Sequence, residues 1–417
     1  MVGFMGGKVD RYFIPALIGF APFVLSLVSW APDGRTPIQR LLLTFYVPII
    51  AMQLAVIVIA LREGLIAAMR RWSWKPVPST AIIVLVLVAI TTAALAPNSI
   101  GAWIWTIFWL IHLSFGFAVT HLAERRIAPI DLWVAYLAGF VAFVSSCALF
   151  ALNVRDPAFD WTHGWPAALH IRHLGYYAAA MTALCIGLAA VERSRKVNAL
   201  LLGLMTLGAT FALWTGSRGA VVGVLGALVI GLIVIPGIRR PIVWGSALVG
   251  LVGGFLIASQ LPASGPWMGA GRTVTQTVES QDVSSGRTQI WKNAIGAISH
   301  RPIFGYGENQ MATVAPFHGL GQTHNVILQI LLAWGTVGLA CVAVLAIWFL
   351  IRSVPAVRRD TAGLAPPFMV MAALTTLSAF DGSLFHVVPL SLFAACAGLI
   401  ASSWTSGIRL SRTDPEA

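Results

Sequence analysis

The chain has 417 residues, of which 58% are hydrophobic and only 10% charged, whereas soluble domains carry roughly 25% charged residues. Such a chain cannot cover itself with a water-facing surface, which excludes a soluble globule, a disordered protein and a disulfide scaffold. The formal net charge of +12 would suit nucleic-acid binding, but the positions of the basic residues argue against that function.

Apolar runs long enough to form membrane helices follow one another along the chain. Since one bilayer crossing needs about 20 such residues, about twelve spans are predicted, and the fold class is an all-α polytopic membrane protein. The predicted spans are 13–30, 41–61, 81–96, 100–120, 130–152, 174–191, 198–215, 219–236, 241–259, 325–351, 365–381 and 386–406. They define a bundle of nine spans at 1–259, a long outer loop at 260–323, three further spans at 324–408 and a tail at 409–417.

The basic residues predict the orientation, because connections on the cytoplasmic side are enriched in Lys and Arg. With the N-terminus in the cytoplasm, 18 of the 27 Lys and Arg residues fall in inner connections, and the C-terminus is also cytoplasmic. Most of the basic excess therefore reflects topology, and no nucleic-acid partner is expected. Topology does not account for the nine outer residues: Arg35, Arg40, Arg155, Arg172, Arg218, Arg272, Arg287, Lys292 and Arg301.

The long outer loop is too apolar to be a disordered tether. Ser284-Ser285-Gly286 can begin a helix, and the apolar residues that follow recur at helical spacing: Ile290, Trp291, Ala294, Ile295 and Ile298. We expect an amphipathic helix on the membrane or against the bundle, with Arg287 and Trp291 on one face.

Arg218 is the only charged residue between positions 200 and 238, in the tight connection Thr215-Gly216-Ser217-Arg218-Gly219. In one interpretation it lies at the tip of a helical hairpin, with its guanidinium among lipid headgroups. In the other it turns inward to bind an anion, and the flanking glycines allow the backbone to approach closely.

His324 and Asp381 are candidates for proton transfer at the outer ends of two spans. A histidine in this place can be an interfacial or capping residue, but its ordinary pKa of about 6.5 also lets it accept a proton near neutral pH. Asp381 precedes a glycine and can simply form a turn. Alternatively, its carboxylate orients His324 or neutralises an outer arginine.

Neither a metal site nor a nucleotide site is predicted, and no cofactor is expected. His170 and His173 lie three residues apart without an accompanying carboxylate cluster, and no glycine-rich phosphate loop occurs. The planar fork of arginine binds phosphate oxygens bidentately without a metal. A lipid-linked sugar pyrophosphate fits these features, with its tail between spans and its phosphates at the interface.

Two groups of residues resemble a known family. His324-Asn325, followed by Gly335 and Gly338, is similar to the signature of bacterial O-antigen ligases, which belong to the O-antigen ligase and polymerase superfamily of membrane glycosyltransferases. The match extends to Arg287-x-x-x-Trp291 and to Pro302-Ile303-Phe304-Gly305-Tyr306-Gly307, which resemble the helix and turn of that family's large periplasmic loop.

This resemblance implies a C-type glycosyltransferase architecture in the bacterial inner membrane, with a metal-independent active site that faces the periplasm. A ligase of this kind transfers O-antigen glycan from undecaprenyl pyrophosphate to a sugar hydroxyl of lipid A–core oligosaccharide. The family's essential histidine corresponds to His324, its loop arginine to Arg287 and its second arginine to Arg218. The expected substrate-binding residues are Arg172, Arg272, Asn325, Trp291, Tyr306 and Asp381.

Three other functions remain open at this stage. An O-antigen polymerase would use the same donor with a second lipid-linked glycan, and a protein O-glycosylating ligase would use a serine or threonine acceptor. A lipid-linked glycan flippase would place charges at several depths within its helices. The predicted clustering of Arg218, Arg287, His324 and Asp381 at one face favours chemistry over transport.

Overall fold

The computed structural model describes residues 9–29, 42, 45–72, 75–125, 127–156, 158–265, 268–272, 286–316 and 321–410. This part of the chain is helical and contains no β-strand, as the sequence predicts. Its α-helices, numbered in chain order, are α1 Val9–Gly19, α2 Ala21–Val28, α3 Val47–Arg62, α4 Leu65–Arg71, α5 Pro76–Ala94, α6 Ser99–Ala123, α7 Pro129–Asn153, α8 Ile171–Ala189, α9 Arg195–Trp214, α10 Arg218–Val234, α11 Pro241–Gln260, α12 Arg287–His300, α13 Met311–Val314, α14 Val326–Arg359, α15 Thr361–Ser378 and α16 Val387–Leu410.

Eight of the described helices are long and apolar enough to cross a membrane, namely α5, α6, α7, α9, α11, α14, α15 and most of α16. The helices α3 and α10 are apolar but shorter. Helix α8 coincides with another predicted span and is buried over nearly its whole length. A polytopic helical membrane protein is therefore confirmed, while the total of about twelve spans stays a prediction.

The first predicted span, 13–30, is interrupted in the structure. Helix α1 ends at Gly19 and α2 begins at Ala21. Pro22 lacks the N–H that a continuous helix would need at this point. The break lets α1 approach α7 closely, because Gly19 lies against the backbone of Ala135 and the Gly19 carbonyl lies over Gly139.

Helix α15 forms the centre of the bundle that supports the outer connections. It packs against α8, α10, α14 and α16, and the side chains from Leu364 to Leu374 are all buried. Its outer end leads directly into Asp381. The carboxylate predicted to act at the surface is thus attached to a helix that its neighbours largely enclose.

Helix α14 is broken at Gly335, and a segment of the outer loop fills the break. Gly335 has φ +63° and ψ −163°, a conformation that only glycine adopts readily. The amide of Tyr306 donates to the carbonyl of Leu332 at 2.8 Å, and the amide of Thr336 donates to the carbonyl of Pro302 at 2.8 Å. These bonds replace the helical ones that the break removes, as an apolar environment requires.

The predicted loop helix is present as α12, although Ser284 and Ser285 lie outside the described residues. Gly286 precedes the helix with φ +82°. Ile290, Ala294 and Ala297 are buried against α13 and the outer half of α14. Ile295, expected on the apolar face, is exposed. The helix therefore packs against the bundle along a narrower face than the sequence predicts.

Candidate active site

The segment before α14 presents His324 in a constrained backbone. His324 has φ +53°, in the left-handed region that non-glycine residues rarely occupy. Asn325 caps α14, since its Oδ1 accepts from the amide of Leu328 at 3.0 Å, while its Nδ2 donates to the carbonyl of Ala379 at 2.9 Å. Gln329 also holds this segment, because its Oε1 accepts from the amide of Thr323 at 3.0 Å. Asn325, expected to bind substrate, has its side chain engaged in holding α14 against α15.

Asp381 joins the two principal candidates in one arrangement. His324 Nδ1 lies 2.9 Å from Asp381 Oδ1, and Arg287 Nη2 donates to Asp381 Oδ2 at 3.0 Å. The side chains of His324 and Arg287 are 17% and 19% exposed, whereas that of Asp381 is 5% exposed. Both partners therefore remain partly accessible, while the carboxylate that orients them is enclosed.

The charge of Asp381 determines the tautomer of His324. Burial by itself would raise the pKa of Asp381, but the hydrogen bond with His324 and the positive charge of Arg287 outweigh burial and hold that pKa well below its ordinary value. An ionised carboxylate only accepts hydrogen bonds, so Nδ1 of His324 must carry the hydrogen. In the neutral imidazole, Nε2 then has the lone pair that a general base needs.

Further arginines surround this carboxylate. Arg218 is the first residue of α10, and Asp381 Oδ2 lies 3.5 Å from where a side chain on the next residue, Gly219, would begin. Arg172, in the first turn of α8, interacts electrostatically with Asp381, Arg218 and Arg287. The structure thus brings together four residues that the sequence singled out in separate outer connections, namely Arg172, Arg218, Arg287 and Asp381.

Arg272 is a further buried arginine next to this group. It is 8% exposed and interacts electrostatically with Arg172 and Arg218. Burial, together with these two positive neighbours, lowers the pKa of Arg272 to about 9. The interactions within the group join four guanidinium groups and one carboxylate, so the group carries an excess of positive charge. Such an excess suits a multiply charged anion, because arginine binds phosphate oxygens in a fixed planar geometry.

Trp291 and Tyr306 hold the loop in place. The indole N–H of Trp291 donates to the carbonyl of Thr323 at 3.1 Å, which ties α12 to the residue before His324. The hydroxyl of Tyr306 donates to the carbonyl of Ala297 at 3.2 Å, and the guanidinium of Arg301 lies 4.8 Å from its ring centre. These contacts place Tyr306 within the fold of the loop, so the structure does not join it to the Asp381 group.

Asp381 also has buried neighbours that the sequence did not single out for this site. Tyr176 of α8 is buried and interacts electrostatically with Asp381. The ring centre of His386 lies 3.9 Å from that of His173, with the two rings tilted by 50°, and Gln322 Nε2 lies 3.2 Å from His386 Nε2. A tyrosine inside an apolar run is typical of a packed core. Only the polar pair His173 and His386 could have indicated from the sequence that these residues lie near Asp381.

The structure assigns a local role to one of the two spaced histidines. His170 caps α8, with its Nδ1 accepting from the amide of Arg172 at 3.1 Å. Burial, followed by the charge of Arg172, lowers the pKa of His170 to about 3. Within the described residues, no group of three or more histidine, cysteine, aspartate or glutamate side chains is arranged to hold a metal ion.

The central part of the chain matches a known protein family. Residues 200–343 match the family model described as O-antigen ligase. This region contains Arg218, Arg272, Arg287 and His324, whereas Arg172 and Asp381 lie outside it. No curated protein matches the chain. The expected resemblance to the O-antigen ligase family is confirmed over residues 200–343, and it supports a membrane glycosyltransferase of the ligase or polymerase type.

Proposed function

We propose that this chain, which carries an O-antigen ligase family domain at residues 200–343, transfers glycan from undecaprenyl pyrophosphate to a sugar hydroxyl of lipid A–core oligosaccharide. The observation that carries the proposal is the shared carboxylate, because Asp381 contacts both a candidate base, His324, and a candidate phosphate ligand, Arg287. We place this chemistry at the periplasmic face of the bacterial inner membrane.

In the proposed reaction, Nε2 of His324 accepts the proton of the acceptor hydroxyl as its oxygen attacks the anomeric carbon. The bond between that carbon and the phosphate oxygen breaks, and undecaprenyl pyrophosphate leaves with the bonding electrons. Asp381 stabilises the imidazolium that forms and keeps its ring in place. A single displacement of this kind inverts the anomeric centre.

The arginines stabilise the charge that develops on the leaving group. Each phosphate group of the donor carries one negative charge, and departure of the glycan creates a third. The four arginines of this group provide positive charge that is already in place before the reaction, so little reorganisation is needed in the transition state. Arg218 and Arg287 are the proposed direct ligands, with Arg172 and Arg272 extending the positive field. Since arginine supplies this charge, we expect transfer to proceed in the presence of a chelator.

In the test, the purified protein in vesicles is supplied with undecaprenyl-linked glycan and one of three acceptors. These are lipid A–core, a second lipid-linked glycan and a serine-containing peptide. We expect transfer to lipid A–core. His324→Ala should lower the rate by about 10²–10⁴, the usual contribution of general-base catalysis, while the protein still inserts into the membrane.

The other outcomes separate the alternatives. Transfer only to the second lipid-linked glycan would identify a polymerase, and transfer only to the peptide would identify a protein O-glycosylating enzyme. Movement of the intact donor across the vesicle membrane, without transfer to any acceptor, would indicate a flippase. Near-normal transfer by His324→Ala would refute the assignment of the base.

A further inference from the structure

Gln322 contacts the turn that follows Asp381. Its Nε2 lies 3.2 Å from Nε2 of His386, and a side chain on Gly382 would overlap its amide group. Gly382 has φ −85°, which any residue adopts, so its lack of a side chain matters here for space. Because an amide nitrogen only donates, Nε2 of His386 accepts the hydrogen bond. Gln322 is thus joined to the far end of the turn whose first residue, Asp381, contacts His324.

His386 is held by the helices around it. Its ring centre lies 3.9 Å from that of His173 and 5.3 Å from that of Tyr176, both near the start of α8. The carbonyl of the preceding residue, Phe385, accepts from the hydroxyl of Tyr46 at 2.8 Å. Helix α16 begins at the residue that follows the imidazole. The acceptor of this hydrogen bond is therefore fixed by the bundle and not by the outer loop.

The backbone at His324 has a conformation that its surroundings must hold. Its φ is +53°, and a residue other than glycine persists there only where neighbouring contacts over-determine it. On one side, Asn325 is bonded to the end of α15. On the other, Thr323 is bonded through its carbonyl to Trp291 and through its amide to Gln329. None of these three bonds reaches the turn that carries the carboxylate.

We infer that Gln322 is a positioning residue for His324, because its bond to His386 keeps the segment before His324 seated on the turn that carries Asp381. The inference rests on the proposed function, in which His324 is the base. The hydrogen bond that one ring nitrogen makes decides which nitrogen carries the hydrogen. When the segment moves off the turn, Nδ1 of His324 loses its partner and the form with hydrogen on Nε2 becomes populated. That form has no lone pair at Nε2 to accept the proton of the acceptor hydroxyl.

Nitrogen-15 NMR reads the tautomer of His324 directly. The full-length protein, labelled with nitrogen-15 histidine, is placed in vesicles of phosphatidylethanolamine and phosphatidylglycerol at a pH well above about 6.5, the ordinary histidine pKa. The signals of His324 are those that His324→Ala removes. Two other histidines serve as references. Nδ1 of His300 lies 2.8 Å from the carbonyl of Gly296 and must carry hydrogen, whereas Nδ1 of His170 accepts from a backbone amide, so its Nε2 carries hydrogen.

Gln322→Met tests the inference, because methionine keeps the length of the side chain and removes the donor. We expect His324 to change from a single tautomer with hydrogen on Nδ1 to a mixture, while both reference histidines stay unchanged. In the transfer assay, kcat should fall about tenfold, within the loss that a displacement of about 1 Å can cause, with KM nearly unchanged. Gln289→Met is the matched control, because Gln289 is exposed and donates to Asn293 on its own helix at 2.7 Å. It should keep the wild-type tautomer and kcat.

Variants of His386 separate the hydrogen bond from the packing of the imidazole. His386→Gln retains an acceptor for Gln322 and should keep the Nδ1 tautomer of His324 and most of the wild-type kcat. His386→Leu should lose both to the same extent as Gln322→Met. The double variant Gln322→Met with His386→Leu should be no slower than either single variant, because each removes the same bond. Gly382→Ala, which pushes a methyl group into the Gln322 amide, replaces Gln322→Met if that variant fails to fold.

An unchanged His324 tautomer in Gln322→Met would overturn the inference, whatever happens to kcat. A mixture of tautomers with the wild-type kcat would overturn it too, because the position of the ring would then not limit the reaction. Equal losses in His386→Gln and His386→Leu would show that packing of the imidazole matters and the hydrogen bond does not.

Failure of this inference can be told from failure of the proposed function, because the tautomer is measured without donor or acceptor. A tautomer that depends on Gln322, in a protein that transfers glycan to no acceptor, would leave the positioning of the ring standing and refute the function. Transfer that depends on His324, combined with a tautomer that does not depend on Gln322, would refute the positioning role alone.

Discussion

His324 and Arg287 bind different oxygen atoms of one carboxylate, that of Asp381, at 2.9 Å and 3.0 Å. The proposed base and the proposed ligand of the leaving group are therefore positioned by the same enclosed side chain. A displacement of Asp381 would disturb both partners together. We therefore expect this acid at the end of α15 to affect both proton removal and stabilisation of the leaving group in the proposed displacement.

Arg287→Lys should lower the rate of glycan transfer although the positive charge is retained. An ammonium group cannot contact Asp381 and the donor phosphates with the planar geometry of a guanidinium. We expect a loss of about tenfold to a hundredfold, equivalent to about 1.5–3 kcal/mol for one charge-assisted hydrogen bond. The measurement is the initial rate with undecaprenyl-linked glycan and lipid A–core in vesicles.

Arg301→Lys is the matched control for that variant. Arg301 directly follows α12, where its guanidinium lies over the ring of Tyr306, and it should tolerate lysine with an unchanged rate. An equal rate for wild type and Arg287→Lys would mean that charge alone is needed at position 287.

Asp381→Asn should impair transfer with little change in side-chain shape. An amide has a donor nitrogen in place of the second oxygen, so it cannot accept at both of the positions that Oδ1 and Oδ2 occupy in the wild type. Because the neutral ring would lose the partner that fixes its tautomer, we expect a loss of about a hundredfold or more in the transfer rate.

The control for this change lies at the other end of α15. Asp360 caps that helix, with its Oδ1 accepting from the amide of Gly363 at 3.0 Å. Asn is also a good capping residue, so Asp360→Asn should keep the wild-type rate. Equal losses in the two variants would indicate that Asp381 serves only the stability of α15.

Gly335→Ala should destabilise the protein strongly. A side chain at this position would overlap the carbonyl of Ile303, and the positive φ alone costs about 1–3 kcal/mol for a residue other than glycine. The measurement is the apparent melting temperature in detergent. Gly203→Ala on α9 is the control, because a side chain there meets no atom within 4 Å and alanine stabilises a helix by about 0.5–1 kcal/mol. A Gly335→Ala variant as stable as Gly203→Ala would contradict the break in α14.

Glu308→Gln should change how stability depends on pH. Glu308 is 3% exposed, and burial raises the pKa of its carboxyl to about 8. The unfolded chain releases this proton from about pH 4.3 upward, whereas the folded protein keeps it until about pH 8. The folded state therefore binds more protons in this window, and the stability of the wild type falls as pH rises, by at most about 1.4 kcal/mol per pH unit.

The glutamine variant has no carboxyl that titrates at this position. Its melting temperature should therefore exceed that of the wild type, and the difference should grow between pH 5 and pH 8. Glu192→Gln is the control, because the amides of Ser194 and Arg193 lower the pKa of Glu192 and keep it ionised throughout this window. A margin that stays constant with pH would show that Glu308 is already ionised in the folded protein.

Sequence patterns predicted the parts of the site that have unusual charge for their position. Arg218, Arg287 and His324 stand out because polar groups are costly near a membrane, and the structure brings all three to the carboxylate of Asp381. Tyr176 and Gln322 could not be predicted, because a tyrosine in an apolar run and a glutamine in a loop are ordinary there. Their role arises from contacts between helices distant in the sequence.

The ends of helices and the contacts of individual side chains were predicted less well where they depend on close packing between helices. The interruption at Phe20 lets Gly19 contact α7 closely, and no periodicity in the sequence reveals that contact. Asn325 lies beside the base and was expected to bind substrate, yet its side chain caps α14 and contacts α15. Adjacency in the sequence could not distinguish a ligand from a residue that holds the helix in place.

The pairing of residues 302–307 with the break in α14 limits which segments can be exchanged between related enzymes. The carbonyls of Leu332 and Ala333 have their partners in Tyr306 and Gly307 of the outer loop. A chimera that takes this loop from a relative with a different turn would leave those carbonyls without donors inside the bilayer. Loop and helix must therefore be transplanted as one piece, with the junctions placed before Arg301 and after Gly338.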